Sequence, residues 1–263
     1  LGQNAGTNLS TAMIGFIIMG VGLPLLGVIV MGYSGAEDLL DLSSTAGKGF
    51  GIAFTTLLYL TIGPFFAIPR TGTTTYELGL SSFVAPEHTF VAQAVFLAFF
   101  MGLTLWLAIS PNKLVDRIGT IITPVLLLSM VVLIIASLVN PMGSAQEPTK
   151  GYATTSLAFT NGLMEGYNTM DALASLVFGI IVINSVKLYG AKTKQEVFNN
   201  SAKSAVIAAV LLALVYIFIS NIGATSVSVL GLQKTGAGVL TGATTFYFGN
   251  VGKLLLFVIV FLA

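Results

Sequence analysis

Apolar residues in this chain come in long blocks, not in the two-residue alternation of a half-buried strand. Uncharged or nearly uncharged stretches cover residues 9–33, 49–68, 90–109, 118–139, 153–186 and 205–227, and a seventh opens at Lys253 and runs to 263. Crossing a bilayer takes roughly 20 apolar residues in helical form. The pattern therefore predicts six complete spans and the start of a seventh, since 253–263 is too short to cross. Only helices and closed barrels satisfy every backbone polar group in lipid, and a barrel needs the alternation that is absent here. The predicted class is an all-α integral membrane protein, one transmembrane domain over 1–263.

Breakers shape the spans. Gly22, Pro24 and Gly27 bend the first. The second contains Pro64 and Pro69, which remove backbone donors and kink a helix. It continues through Arg70 to about residue 80, and about 30 residues make a helix of roughly 45 Å, so it must tilt. Its middle then falls near residues 63–66. Arg70 either holds an anionic partner, with Glu77 two turns on as the candidate, or snorkels to the outer interface. A structural or gating role suits it best.

Composition sharpens the class. The chain is 55% hydrophobic and 8% charged, against about 25% charged in a soluble domain. A net charge of +1 supplies no basic patch for nucleic acid. With no cysteine and one histidine, His88, disulfides, thiolate metal sites and the usual catalytic triads are excluded. His88 reads as a solvated loop residue. No phosphate loop, nucleophile elbow or zinc-protease motif occurs, so neither an enzyme nor a cofactor is expected. The chain opens at Leu1 without Met or a basic leader and stops inside an apolar run, so it reads as a fragment cut at both ends.

Charge asymmetry orients the spans. Connections after spans one, three and five hold Lys48, then Lys113 and Arg117, then Lys187, Lys192, Lys194 and Lys203. The other side, Arg70 aside, holds Lys150, Lys234 and Lys253. The lysine-rich side is expected to be cytoplasmic by the positive-inside rule, so span one runs from outside to inside, and an odd number of helices, most simply one, would precede Leu1 if the native N-terminus is cytoplasmic. Residues 111–117 read as a short inner linker. Residues 234–250 lie outside and are long enough for a short helix or lid.

The fifth stretch carries the strongest chemical signal. Glu165 and Asp171 lie near the centre of about 34 otherwise uncharged residues, where a charge costs roughly 2.5–3.5 kcal/mol on insertion scales. Gly162 and Gly166 weaken the helix by about 1 kcal/mol each relative to Ala. Asn168 followed by Asp171 resembles a helix N-cap with an acidic third position. The span is expected to break near 165–169 into two half-helices, the second aiming its positive end at an anionic carboxylate. Such breaks mark transporter substrate sites. A secondary transporter fits best; a seven-span receptor and a channel are the alternatives. A receptor predicts continuous helices, and a channel predicts pore-lining polar residues that spans three, four and six lack.

The strings LTIGPFFAIPRT at 60–71, SPNKLVDR at 110–117 and EGYNTMDALASLVFG at 165–179 resemble the branched-chain amino acid transport system II carrier proteins, the bacterial leucine–isoleucine–valine:cation symporter family. The resemblance implies a multi-pass protein of the bacterial cell membrane that imports leucine, isoleucine and valine with Na+ or H+, with the lipid bilayer and no obligatory protein as its surroundings. It also implies the inverted-repeat bundle of the leucine-transporter fold, incomplete here as helices two to seven and the start of eight. On that fold the broken span is helix six. Gly166, Tyr167, Asn168 and Thr169 become candidate substrate contacts, Gly63, Phe65 and Phe66 the helix-three wall, and Glu165, Asp171, Arg70 and Glu77 coupling or gating residues. The usual sodium ligands of the fold lie on helices one and eight, largely outside these residues.

Overall fold

The structure, a computed structural model, describes residues 1–109, 120 and 122–262. The SPNKLVDR motif and the expected start of the fourth span lie outside the described residues. Regular structure among the described residues is entirely helical. The helices are α1 (Gly2–Ser34), α2 (Leu39–Ser44), α3 (Lys48–Gly79), α4 (Thr89–Ala108), α5 (Thr123–Val139), α6 (Thr155–Asn168), α7 (Asp171–Leu188), α8 (Lys194–Leu230), α9 (Gly236–Phe248) and α10 (Asn250–Leu262). Five of them, α1, α3, α4, α7 and α8, are long and apolar enough to cross a membrane.

Burial is inverted relative to a water-soluble protein. Phe90 is 83% exposed and Val139 79%, whereas Ser201, Ser226 and Thr244 are fully buried. Large apolar side chains face outward, where lipid solvates them, and small residues let helices approach closely.

The chain forms two compact units, Leu1–Gly63 with Ala145–Ala224 and Pro64–Ser144 with Thr225–Ala263. In the first, α1 lies along α6 and then α7. The glycines give the register. A Cβ at Gly15 would strike the Phe159 carbonyl, one at Gly166 the Phe16 carbonyl, and one at Gly27 the Ser175 hydroxyl. Gly179 faces Met31 and Val28. Both sequences advance together, so the two runs are parallel, as loop charges require of two spans that both head for the lysine-rich side. Gly162 and Gly166, expected as helix weakeners, are instead the close-packing stripe of α6: both are buried, and a Cβ at Gly162 would land on the Ala12 backbone.

In the second unit the second part of α3 packs against α4 and α10. Tyr76 is buried, its ring lies 5.8 Å from that of Phe96, and its hydroxyl donates to the Thr89 carbonyl at 3.2 Å. Gly72 meets Leu97 and Met101, and Gly79 meets Phe257.

Two boundaries differ from the sequence reading. The sixth span, expected at 205–227, is part of a 37-residue helix beginning at Lys194, about 55 Å long. Its polar start is held by a capping box: the Glu196 amide donates to Thr193 Oγ1 at 3.2 Å, while Glu196 accepts from the amides of Lys192 at 2.9 Å and Thr193 at 3.1 Å. Thr-x-x-Glu at 193–196 was legible in the sequence, and the connection from α7 to α8 is shorter than expected because of it. The fifth stretch is interrupted at Thr169 and Met170, later than 165–169. Glu165, Gly166, Tyr167 and Asn168 are all helical.

Candidate functional site

The interruption between α6 and α7 is a two-residue joint. Thr169 keeps helical dihedrals, and Met170 turns left-handed with φ 63° and ψ 8°. It is the one positive-φ residue other than glycine among the described residues. A side chain there costs on the order of 1–3 kcal/mol and persists only where its surroundings enforce it.

Those surroundings are bonded. The Met170 amide donates to the Tyr167 carbonyl at 3.1 Å, and the Met170 carbonyl accepts from the amides of Leu173 and Ala174, each at 3.1 Å. Thr169 Oγ1 donates to the Gly166 carbonyl at 2.8 Å and accepts from the Asp171 amide at 3.4 Å. Thr169 thus does the work expected of Asn168. The N-cap position of α7 is Met170 without a side-chain bond, and Asn168 is the last residue of α6. The reason is register: the chain leaves the helix after Asn168, so its side chain stays on the α6 face.

Opposite the joint, α1 is irregular too. Residues Ile18–Gly22 form a π-helical turn, and a Cβ at Gly20 would sit 3.4 Å from the Gly166 Cα. The two irregular turns therefore lie at one level. Asp171 opens α7, where a carboxylate suits the positive helix end, and accepts from the Tyr216 hydroxyl at 2.7 Å. Tyr216 is set edge-on to Phe16, with centroids 4.8 Å apart. Beside Asp171 a largely apolar cavity of about 410 Å³ is walled by α1, α7 and α8, with Val21, Leu25, Ala174 and Phe178 among its lining.

The structure distributes the expected residues as follows. Asp171 lines the cavity. Gly166 is buried against Phe16 and Gly20, and its carbonyl is occupied by Thr169. Thr169 is half-buried, and Glu165, Tyr167 and Asn168 are exposed on the rest of α6. Burial first, and the Glu165 charge second, push the Tyr152 hydroxyl up to about 12.

Gly63 sits in a second π-helical turn, Thr61–Phe65, with non-helical dihedrals of φ −83° and ψ −121°, while Phe65 and Phe66 are exposed. This is where α3 kinks, at Pro64, and where the chain passes from one unit to the next. The Arg70–Glu77 pairing does not form. Arg70 stacks 5.5 Å over the Phe66 ring, back along the helix, and two turns separate it from Glu77. Glu77 instead lines a cavity of about 560 Å³ in the second unit with Gly238, Thr241, Gly242 and Thr245 of α9. The His88 ring lies 3.7 Å from the Glu87 carboxylate, and both side chains are exposed. No cluster of three or more histidine or acidic side chains suited to a metal ion occurs among the described residues.

Sequence reasoning missed Tyr216 and Met170. A lone phenol in the aliphatic run 205–217 was the available signal for the first. Nothing in the residue type announced the second.

Residues 1–263 match the family model for branched-chain amino acid transport protein. The chain is 45% identical over 256 residues to the branched-chain amino acid permease BrnQ of Bacillus subtilis (strain 168), covering 97% of this chain and 58% of that protein. It is 40% identical over 256 residues to the permease BraB of the same organism, covering 97% and 57%. It is 36% identical over 262 residues to the branched-chain amino acid transport system 2 carrier protein of Pseudomonas aeruginosa, covering 100% and 59%. The chain thus spans less than two thirds of the length of these curated relatives. No solved structure matches it.

Proposed function

Because the chain belongs to the branched-chain amino acid transport protein family, we propose that the complete protein is a secondary active transporter importing leucine, isoleucine and valine, driven by Na+ or H+ through alternating access. It is a multi-pass protein of the bacterial cell membrane. Its fold on this reading is the leucine-transporter bundle, with α1 as helix two, α6 and α7 as the broken helix six, and α8 as helix seven.

The observation that carries the reading is the left-handed Met170 between two half-helices. A break of this kind in lipid is tolerated only where it is buried in protein or lines an aqueous cavity. It turns the positive end of α7 toward the break, where the carboxylate of an amino acid would be stabilised, while the Gly166 and Tyr167 carbonyls are taken by Thr169 and Met170. The neighbouring apolar cavity suits a branched aliphatic side chain, and cavities of roughly 300–1,000 Å³ are the usual range for small ligands. Asp171, held by Tyr216, is the group placed to influence a coupling cation. The exposed polar face with Tyr167 and Asn168 is the side from which substrate reaches the joint.

The test is uptake of labelled leucine into proteoliposomes of the complete protein under an imposed Na+ gradient, an imposed proton gradient, or neither. Saturable accumulation above equilibrium under one gradient, inhibited by isoleucine and valine, is expected. Equal internal and external leucine under every condition refutes the proposal and leaves a channel; binding without flux leaves a receptor.

A further inference from the structure

We propose that a basic pocket at the lysine-rich end of the first unit binds the phosphate headgroup of an anionic phospholipid. The pocket, about 580 Å³, lies between the end of α1 and the α7–α8 connection. Lys187, Lys192 and Lys194 line it against a single lining carboxylate, Glu37. None of the three lysines makes an ion pair among the described residues.

Just ahead of α8, Glu196 already accepts from the amides of Lys192 and Thr193. The three ammonium groups are the anion-binding feature. Its floor is apolar: Met31, Ile183 and Val197 form a buried cluster. Its surroundings are amphipathic. Tyr33 and Tyr189 are each 81% exposed and Leu188 is 77% exposed, immediately beside the lysines. Tyrosines bared to this extent suit the headgroup level of a membrane, where ring and hydroxyl meet different solvents. Basic pockets between helices on the cytoplasmic side suit anionic headgroups. A free phosphate shares the charge but makes no use of the exposed Leu188 and tyrosine rings, which favours the lipid.

The experiment is native mass spectrometry of the complete protein, released from mixed micelles containing phosphatidylglycerol or phosphatidylcholine at equal concentration, and separately exposed to inorganic phosphate alone. Preferential retention of phosphatidylglycerol is expected. Removing one lysine should weaken it about fivefold, and Lys187→Gln, Lys192→Gln and Lys194→Gln together on the order of 100-fold. Lys203→Gln, which keeps the pocket lysines, should leave it unchanged. Glu37→Gln should strengthen retention several-fold, and this opposite sign decides the matter if the triple variant does not fold. Equal retention of both lipids, undiminished retention in the folded triple variant, no gain in Glu37→Gln, or displacement of the lipid by millimolar inorganic phosphate would each overturn the proposal.

Discussion

The hydrogen bond from Tyr216 to Asp171 ties the start of α7 to α8, and Tyr216→Phe removes it while leaving the ring in place. The ring should stay edge-on to Phe16, because that contact involves no hydroxyl. What is lost is one 2.7 Å bond to a carboxylate. Hydrogen bonds to charged groups contribute about 1.5–3 kcal/mol, and both residues are half-buried, so the lower half of that range applies. Asp171→Asn keeps an oxygen acceptor but loses the charge, and should cost less. A double-mutant cycle of Tyr216→Phe with Asp171→Ala, which removes the acceptor, isolates the pair: unfolding in mixed micelles should give a coupling of about 1 kcal/mol or more, against roughly 0.3–0.5 kcal/mol for independent sites. Uptake should follow, with the coupling-ion dependence of Tyr216→Phe altered more than its apparent leucine affinity. Additive single mutants, or a Tyr216→Phe protein with unchanged stability and ion dependence, would refute the assignment of Asp171 as a held, functional carboxylate.

Three further outcomes are expected. Met170→Gly should stay within about 1 kcal/mol of the parent, because relief of the left-handed strain offsets the extra backbone entropy, whereas Met170→Val should cost about 1–3 kcal/mol; thermal unfolding in detergent measures both, and equal effects would count against the strained joint. Gly166→Leu should destabilise by at least 1–3 kcal/mol and abolish uptake, since the side chain would meet the Phe16 carbonyl; a folded, transporting variant would show that α1 and α6 are not in contact there. With its hydroxyl pushed up to about 12 from 10.0, Tyr152 binds its proton more tightly folded than unfolded, so its contribution to stability is fully present below pH 10 and lost as pH rises through 12. The late-titrating tyrosine absorbance at 295 nm should fall by one residue in Tyr152→Phe, and the Tyr152 contribution should titrate earlier, though still above 10, in Glu165→Gln.

How much of this was written in the sequence depends on what each feature rests on. Helix existence followed from uninterrupted apolar blocks, because lipid leaves the backbone no alternative. The kink at Pro64 followed from a missing donor. The joint near Asp171 was readable in kind but not in place: glycines suggested a break at 165–169, yet Gly162 and Gly166 serve a partner helix, and the turn falls on Thr169 and Met170, whose side chains carry no turn signal. Positive φ at a methionine is a tertiary outcome, enforced by bonds from Tyr167, Leu173 and Ala174. Arg70 and Glu77 share one helix, so spacing alone suggested a pair; aromatic stacking on Phe66 and a lining position beside α9 depend on neighbours that spacing does not reveal. Asp171 was legible as a costly charge, but Tyr216, 45 positions away, was not.

The parallel packing of α1 on α6 and α7 explains why two helices lose regularity together. Glycines at 15, 20, 162 and 166 bring the backbones close enough that a wide turn in one must be matched by an irregular turn in the other. The π-helical turn at Ile18–Gly22 and the joint at Thr169 and Met170 are that match. On the packed side the joint is closed, because Thr169 satisfies the Gly166 carbonyl and Asp171 is held by Tyr216. On the other side α6 presents Glu165, Tyr167 and Asn168 uncovered. Lipid cannot solvate that row of polar groups at the depth of a helix break. Water, substrate or further protein must, whereas the glycine face of α6 is the side packed on α1.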